Sequence, residues 1–125
     1  MIKPSRIKIK ITVDQLGAAI GELIRFHSPV TVDAILKALP LESMARVWGE
    51  EVYFPISVKA GAEKSKNNIE SGTLAYWPEG KSFCIFYGKT QPYSRVNVVG
   101  KIIKNLNLFQ SVKDGNIIRL ESSKN

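Results

Sequence analysis

Apolar and polar residues alternate at the start of the chain. Between Ile7 and Val13, isoleucine or valine alternates with lysine or threonine, which is the period-2 pattern of a strand with one buried face. A short turn and a second apolar segment, from Gly17 to Ile24, complete a predicted hairpin. Gly21 within the second strand indicates a bulge or a close backbone contact.

A helical pattern follows the hairpin and ends before Pro40. From Val32 onward, apolar residues recur at i, i+3, i+4 and i+7, and Pro29 suits the first helical position. Ser28 is predicted to cap the helix and Asp33 to lie in its first turn. The apolar stripe of this helix must pack against the predicted sheet.

The remaining pattern predicts mostly strands. Met44 to Trp48 and Glu51 to Val58 form a hairpin, joined by a Gly49-Glu50 pair that suits a type II′ turn. A polar loop then precedes further strands at 73–77, 82–87, 96–103 and 117–121, with a short helix at 105–112. About eight strands and two helices result, and a closed antiparallel barrel with helices at its ends leaves the fewest exposed strand edges.

The hairpin around Gly49 has two different faces. Its register places Trp48 opposite Glu51 and Arg46 opposite Tyr53, whereas the other face is apolar. Exposed Trp, Tyr and Arg are enriched at binding hot spots. The polar face is therefore either a recognition surface or a solvent-exposed ladder of amphipathic rings.

Composition limits the class of protein. The 125 residues suit a single domain spanning 1–125, and no apolar run approaches the roughly 20 residues that cross a bilayer, so no membrane association is expected. The single Cys84 cannot form an intramolecular disulfide, which fits a reducing cytoplasm. With one His27 and one cysteine, no His/Cys metal cluster can form, and we expect neither a metal nor a cofactor. Cys84, between two apolar residues, is expected to be structural.

Charge bears on nucleic-acid binding, which requires clustered lysine and arginine. The formal net charge is +7, but residues 48–93, which hold nine of the eleven aromatic residues, contain five basic and five acidic residues. Binders of single-stranded nucleic acid interleave rings with positive charge. The segregation argues against nucleic acid as a partner and leaves a nucleic-acid-binding module as the third hypothesis.

The motifs of the aromatic region resemble those of a known family. Trp48–Phe54, Gly72–Gly80 and Ile85–Thr90 are similar to the hallmark motifs of small prokaryotic cyclophilin-like proteins, and Val98–Ile102 resembles a cyclophilin strand that precedes a short helix. The resemblance covers residues 6–121. It implies a mainly β fold, namely a closed eight-stranded cyclophilin-like antiparallel barrel with two short helices. The family that the motifs resemble has no established activity.

Cyclophilins are prolyl isomerases, and their chemistry makes weak isomerase activity the alternative function. Amide resonance gives the X-Pro bond a barrier of about 18–20 kcal/mol, which falls when a cation donates a hydrogen bond to the prolyl nitrogen. The resemblance makes Arg46, followed by Val47, the nearest match to the catalytic arginine. Met44-Ala45 replaces the cyclophilin Phe-His, however, and Glu51–Phe54 stands near the expected place of a Gln-Gly-Gly-Asp segment. Arg46 is thus a candidate catalytic residue.

We predict primarily a binding protein, whose ligand is a small molecule or a peptide segment. The pocket is expected beside Arg46, Trp48, Glu51 and Tyr53, with Arg46 contacting an anionic or carbonyl group and Glu51 orienting it. Further candidates, whose rings equally suit barrel filling, are Tyr76, Trp77, Phe86 and Thr90. The pattern leaves the oligomeric state open.

Overall fold

The computed structural model describes residues 4–123, which form a nine-stranded antiparallel sheet with one α-helix and one 3₁₀-helix. The α-helix α1 spans Pro29–Ala38, and the 3₁₀-helix spans Leu106–Ser111. The strands are β1 (Arg6–Val13), β2 (Gly17–Ile24), β3 (Leu41–Met44), β4 (Arg46–Trp48), β5 (Glu51–Pro55), β6 (Thr73–Trp77), β7 (Ser82–Phe86), β8 (Asn97–Lys104) and β9 (Ile117–Ser122).

The sheet curls into a nearly closed barrel, which confirms the predicted fold class. Its strand order is β3-β9-β1-β2-β8-β6-β7-β5-β4, so β3 and β4 occupy the two edges. These edge strands are consecutive in the chain and are separated only by Ala45. The Ala45 amide donates to Asn116 O at 2.8 Å, and its carbonyl accepts from Gly115 N at 2.8 Å. One segment of chain therefore joins both edges of the sheet.

The prediction of eight strands was wrong by one, because a single strand from Met44 to Trp48 does not form. Before Ala45 the backbone pairs with β9, and after Ala45 it pairs with β5. This change of partner divides the segment into two short strands. The following strand is also shorter than predicted, since β5 ends at Pro55 rather than Val58.

The interior of the barrel is apolar. Ile9, Ile11 and Val13 are fully buried, as their alternation predicts, and the helix adds Val32 and Ile35 to the same core. Gly21 lies at an irregularity of the β2–β8 pairing, and a Cβ there would meet the Leu74 side chain at 2.9 Å. The irregularity agrees with the predicted bulge, and the tightest contact is with a side chain rather than with the backbone.

The N-terminus of α1 is capped differently from the prediction. Ser28 occupies the cap position, but its side chain makes no capping hydrogen bond. The Glu63 carboxylate instead accepts from the backbone N–H groups of Val30 and Thr31, both at 2.9 Å. Asp33 lies beyond the first turn and accepts from Arg25 Nε at 2.9 Å. A long-range contact, which no local pattern encodes, thus replaces the predicted cap.

The second predicted helix is a shorter 3₁₀-helix, and it contributes buried Leu108 and Phe109 to the core. Within the described residues, no helix has the length and apolar character needed to cross a membrane.

Candidate ligand-binding site

A second, smaller apolar cluster lies on the outer face of the barrel. Its fully or almost fully buried members are Ala75 of β6, Cys84 and Phe86 of β7, and Val96. Because side chains alternate across a strand, these residues face away from the main core formed by their neighbours. The outer face of β5, β6 and β7 is therefore covered rather than open to solvent.

The cover is a loop, residues 88–96, which is tied to the β4–β5 hairpin. The Glu50 amide donates to Thr90 Oγ1 at 2.7 Å, and the Lys89 amide donates to Glu50 Oε1 at 2.7 Å. Gly49 turns the hairpin with φ 57°, whereas Glu50 has no positive φ, as a type II′ turn requires. A Cβ at Gly49 would approach Thr90 Oγ1 to 2.5 Å. Glycine is therefore favoured at position 49 for two reasons: a side chain would collide with Thr90, and the backbone has a positive φ.

Two further contacts hold the same loop. The Gln91 side chain accepts from Ile69 N at 2.9 Å and donates to Ile69 O at 3.2 Å. It thus pairs with the Ile69 backbone in the way that the backbone of a neighbouring strand would. Lys66 and Val96 exchange backbone hydrogen bonds of 2.8 Å. These contacts fix the loop at both ends and hold its central residues beside the sheet.

An aromatic cleft of about 250 Å³ lies between this loop and the sheet. Tyr53 and Trp77 meet edge to face at 6.3 Å, Trp77 and Tyr93 at 6.3 Å, and Trp48 and Tyr93 at 6.4 Å between ring centroids. Trp48 is 46% exposed and Tyr93 is 79% exposed. The residues that line the cleft are Trp48, Glu51, Tyr53, Trp77, Pro92, Tyr93, Ser94 and Val96.

Trp77 is the most firmly held ring of the cleft. Its Nε1–H donates to Ser94 Oγ at 2.6 Å, which joins the sheet to the loop across the cleft. Gly80 packs directly against the indole ring and leaves no room for a Cβ there. The Trp77 wall is therefore preorganised, whereas the rings of Trp48 and Tyr93 stand at the mouth.

Glu51 is the charged residue of the cleft. It is only 6% exposed, and burial raises the pKa of its carboxyl to about 7, an effect that the neighbouring Cys84 thiol partly offsets. The pKa of Cys84 lies well above its ordinary value because the thiol is buried and faces the Glu51 carboxyl. Near neutral pH, Glu51 can thus accept or release a proton, whereas Cys84 stays protonated.

Four of the predicted site residues line the cleft together: Trp48, Glu51, Tyr53 and Trp77. Arg46 pairs with Tyr53 across β4 and β5 as predicted, but it is exposed and does not line the cleft.

The other three predicted residues have different positions. Phe86 is fully buried in the outer cluster, where it pairs with Glu51 across β5 and β7. Thr90 tethers the loop through Glu50. Tyr76 faces the main core, and its hydroxyl donates to Val58 O at 2.6 Å. Trp77 and Tyr76 are adjacent in β6 and so point to opposite faces.

Sequence reasoning missed the lining residues of the loop: Pro92, Tyr93, Ser94 and Val96. One local signal was available, because Tyr93 follows Pro92 in a loop directly after the aromatic hairpin. The tethers through Thr90 and Gln91 decide where this loop lies, and they join residues distant in sequence. Within residues 4–123, no group of three histidine, cysteine, aspartate or glutamate residues could hold a metal ion.

Comparisons with known proteins agree with this architecture. The model of a family described as cyclophilin-like matches residues 6–121. The solution structure of the hypothetical protein AF2241 from Archaeoglobus fulgidus is 35% identical, with a TM-score of 0.81, over 97% of this chain and 98% of that one.

A more distant likeness concerns the fold alone. The structure of McbB in complex with tryptophan is 16% identical, with a TM-score of 0.79, over 94% of this chain and 45% of the McbB chain. The chain thus spans less than half of McbB. No curated protein gave a significant match.

Proposed function

The chain belongs to the cyclophilin-like family, and from that premise we propose that it is a small-molecule-binding protein whose ligand occupies the aromatic cleft. The observation that carries this proposal is a buried carboxyl, Glu51, beneath a set of rings held in place by a tethered loop. Ligand sites combine apolar walls with a few well-placed polar groups. A stable core needs neither a cleft nor a buried carboxyl at its edge.

The size of the cleft supports a small ligand. Its volume of about 250 Å³ lies just below the roughly 300–1,000 Å³ of sites that enclose drug-sized molecules. Tyr53 and Trp77, which meet edge to face, supply aromatic surface against which the ring of a planar molecule can pack. The distant structural neighbour McbB binds tryptophan, which is a small molecule with a flat ring system, and this supports the same ligand class here.

Prolyl isomerisation has less support. That reaction needs a cation beside the bound proline, and Arg46, the candidate from the sequence, does not line the cleft. Among the residues that the structure describes, no lysine or arginine lines it. A nucleic acid would likewise find no lysine or arginine among the described residues that line the cleft, so a small-molecule binder accounts better for the arrangement.

A ligand screen with two matched variants tests the proposal. Metabolites would be screened by ligand-observed NMR against the wild type, and hits would be titrated against Trp48→Ala and Phe26→Ala. Both residues are exposed aromatics, Trp48 in the cleft and Phe26, 77% exposed, outside it. We expect Trp48→Ala to weaken binding about tenfold or more and Phe26→Ala to leave it unchanged. Equal affinity in all three proteins would place the ligand elsewhere and contradict the proposal.

A further inference from the structure

The charge of the cleft is opposite to the charge of the chain. The chain carries a formal net charge of +7, yet within the described residues the cleft lining contains no lysine or arginine and one carboxyl, that of Glu51. Arg46 lies opposite Tyr53 on the neighbouring strand, but it is exposed and does not line the cleft. An anionic ligand would find no counter-ion in this cleft, whereas a cationic ligand would find a carboxylate.

The rings favour a cation as well. Neighbouring rings meet at interplanar angles of 75° to 87°, so the walls of the cleft include ring faces as well as ring edges. Ring faces carry negative electrostatic potential and attract ammonium groups, and tryptophan does so most strongly. Both tryptophans of the chain, Trp48 and Trp77, line the cleft.

Glu51 has hydrogen-bonding capacity to spare. An ionised carboxylate accepts about four hydrogen bonds, and among the described residues its neighbouring side-chain donor, the Cys84 thiol, lies 3.8 Å from another acceptor, Ser82 O. No lysine or arginine forms an ion pair with Glu51 in that part of the chain. A buried carboxylate without a counter-ion is costly, and a ligand that brings a positive charge and N–H donors would remove this cost.

We propose that the ligand of the cleft is a protonated amine carried on a small, flat ring system, whose ammonium group donates to the Glu51 carboxylate while its ring packs against Trp77. This inference rests on the proposed function and names the chemical class of its ligand. A quaternary ammonium would satisfy the rings but could not donate to Glu51. Because the buried Glu51 carboxylate accepts hydrogen bonds, the cleft should prefer an amine that retains N–H groups.

Three indole compounds that differ in charge separate this inference from the proposed function. Tryptamine carries an ammonium group, 3-ethylindole is neutral, and indole-3-acetate carries a carboxylate. Calorimetric titrations at pH 8 should show that tryptamine binds at least about tenfold more tightly than 3-ethylindole, as a charge-assisted hydrogen bond implies. Indole-3-acetate should bind more weakly than both.

Variants then identify the group responsible. Glu51→Gln should lower the affinity for tryptamine to the level measured for 3-ethylindole, and the affinity for 3-ethylindole should stay the same. The exposed control Glu70→Gln should change neither affinity. Similar affinities for the three compounds, preference for the acetate, or no binding of tryptamine would overturn the amine inference. The proposed function would survive these results if a screened compound without an amine depended on Trp48, and it would fail if no compound did.

Discussion

Replacing Glu51 by glutamine should stabilise the folded protein at pH 8, although the side chain lies in the candidate site. Burial raises the pKa of Glu51 from 4.5 to about 7, so at pH 8 folding places an ionised carboxylate where water hydrates it poorly. At about 1.4 kcal/mol per pKa unit, this rise corresponds to at most about 3.5 kcal/mol. Contact of the cleft with solvent reduces the expected gain to about 2 kcal/mol. Glutamine keeps the shape of the side chain and removes the charge.

The gain should depend on pH in a defined direction. The pKa of Glu51 is higher in the folded state than in the unfolded state, so the wild type is stabilised by protonation at low pH. This contribution is lost as pH rises from about 4.5 to about 7. Urea unfolding followed by circular dichroism should therefore give similar free energies of unfolding for both proteins near pH 4. Near pH 8, the variant should be more stable.

Glu70→Gln is the matched control. Glu70 is exposed, and its side chain forms no hydrogen bond or ion pair with the described residues, so its replacement should change stability by less than about 0.5 kcal/mol at each pH. If Glu51→Gln were equally or less stable than the wild type at pH 8, the reasoning from burial would be refuted. Contacts of the ionised carboxylate in the folded protein would then offset the cost of burying its charge.

Three further substitutions test how the site is built. Thr90→Ala removes the acceptor of the Glu50 amide and should cost about 1 kcal/mol; hydrogen exchange at Glu50 should accelerate, whereas Thr90→Ser should restore protection. Cys84→Ser places a hydroxyl at a fully buried position and should cost about 1–3 kcal/mol in urea unfolding, with ligand affinity retained; loss of binding in a folded variant would give the thiol a direct role. Glu63→Ala removes the cap of α1 and should lower the free energy of unfolding by about 1–2 kcal/mol, and with it the melting temperature. An unchanged melting temperature would contradict this capping role.

Local patterns predict the elements of this fold better than their ends. The β4–β5 register follows from a two-residue turn and the alternation of side chains, and the structure confirms Trp48 opposite Glu51. The same alternation could not place Ala45, where the chain changes partner from β9 to β5. That change depends on closure of the barrel, which is a property of the whole sheet.

The site could be predicted only in part for the same reason. Trp48, Glu51 and Tyr53 share a face because of strand geometry, so the sequence brings them together. Tyr93 and Ser94 join them because Thr90 and Gln91 bind residues about 20 to 40 positions away. Arg46 lies on the predicted face, opposite Tyr53, but it does not line the cleft. Sharing a strand face thus brings some residues of the site together, but it does not guarantee membership of the site and does not identify the loop residues.

The two tryptophan indoles provide the most direct test that the cleft is the ligand site. Because both tryptophans of the chain line the cleft, a ¹⁵N-labelled sample reports on it through two indole N–H signals. Titration with a ligand from the screen should shift both signals along one saturable curve and leave the amide signals of β1 and β9 in place. Saturable binding that left both indole signals unmoved would contradict the assignment of the cleft as the binding site.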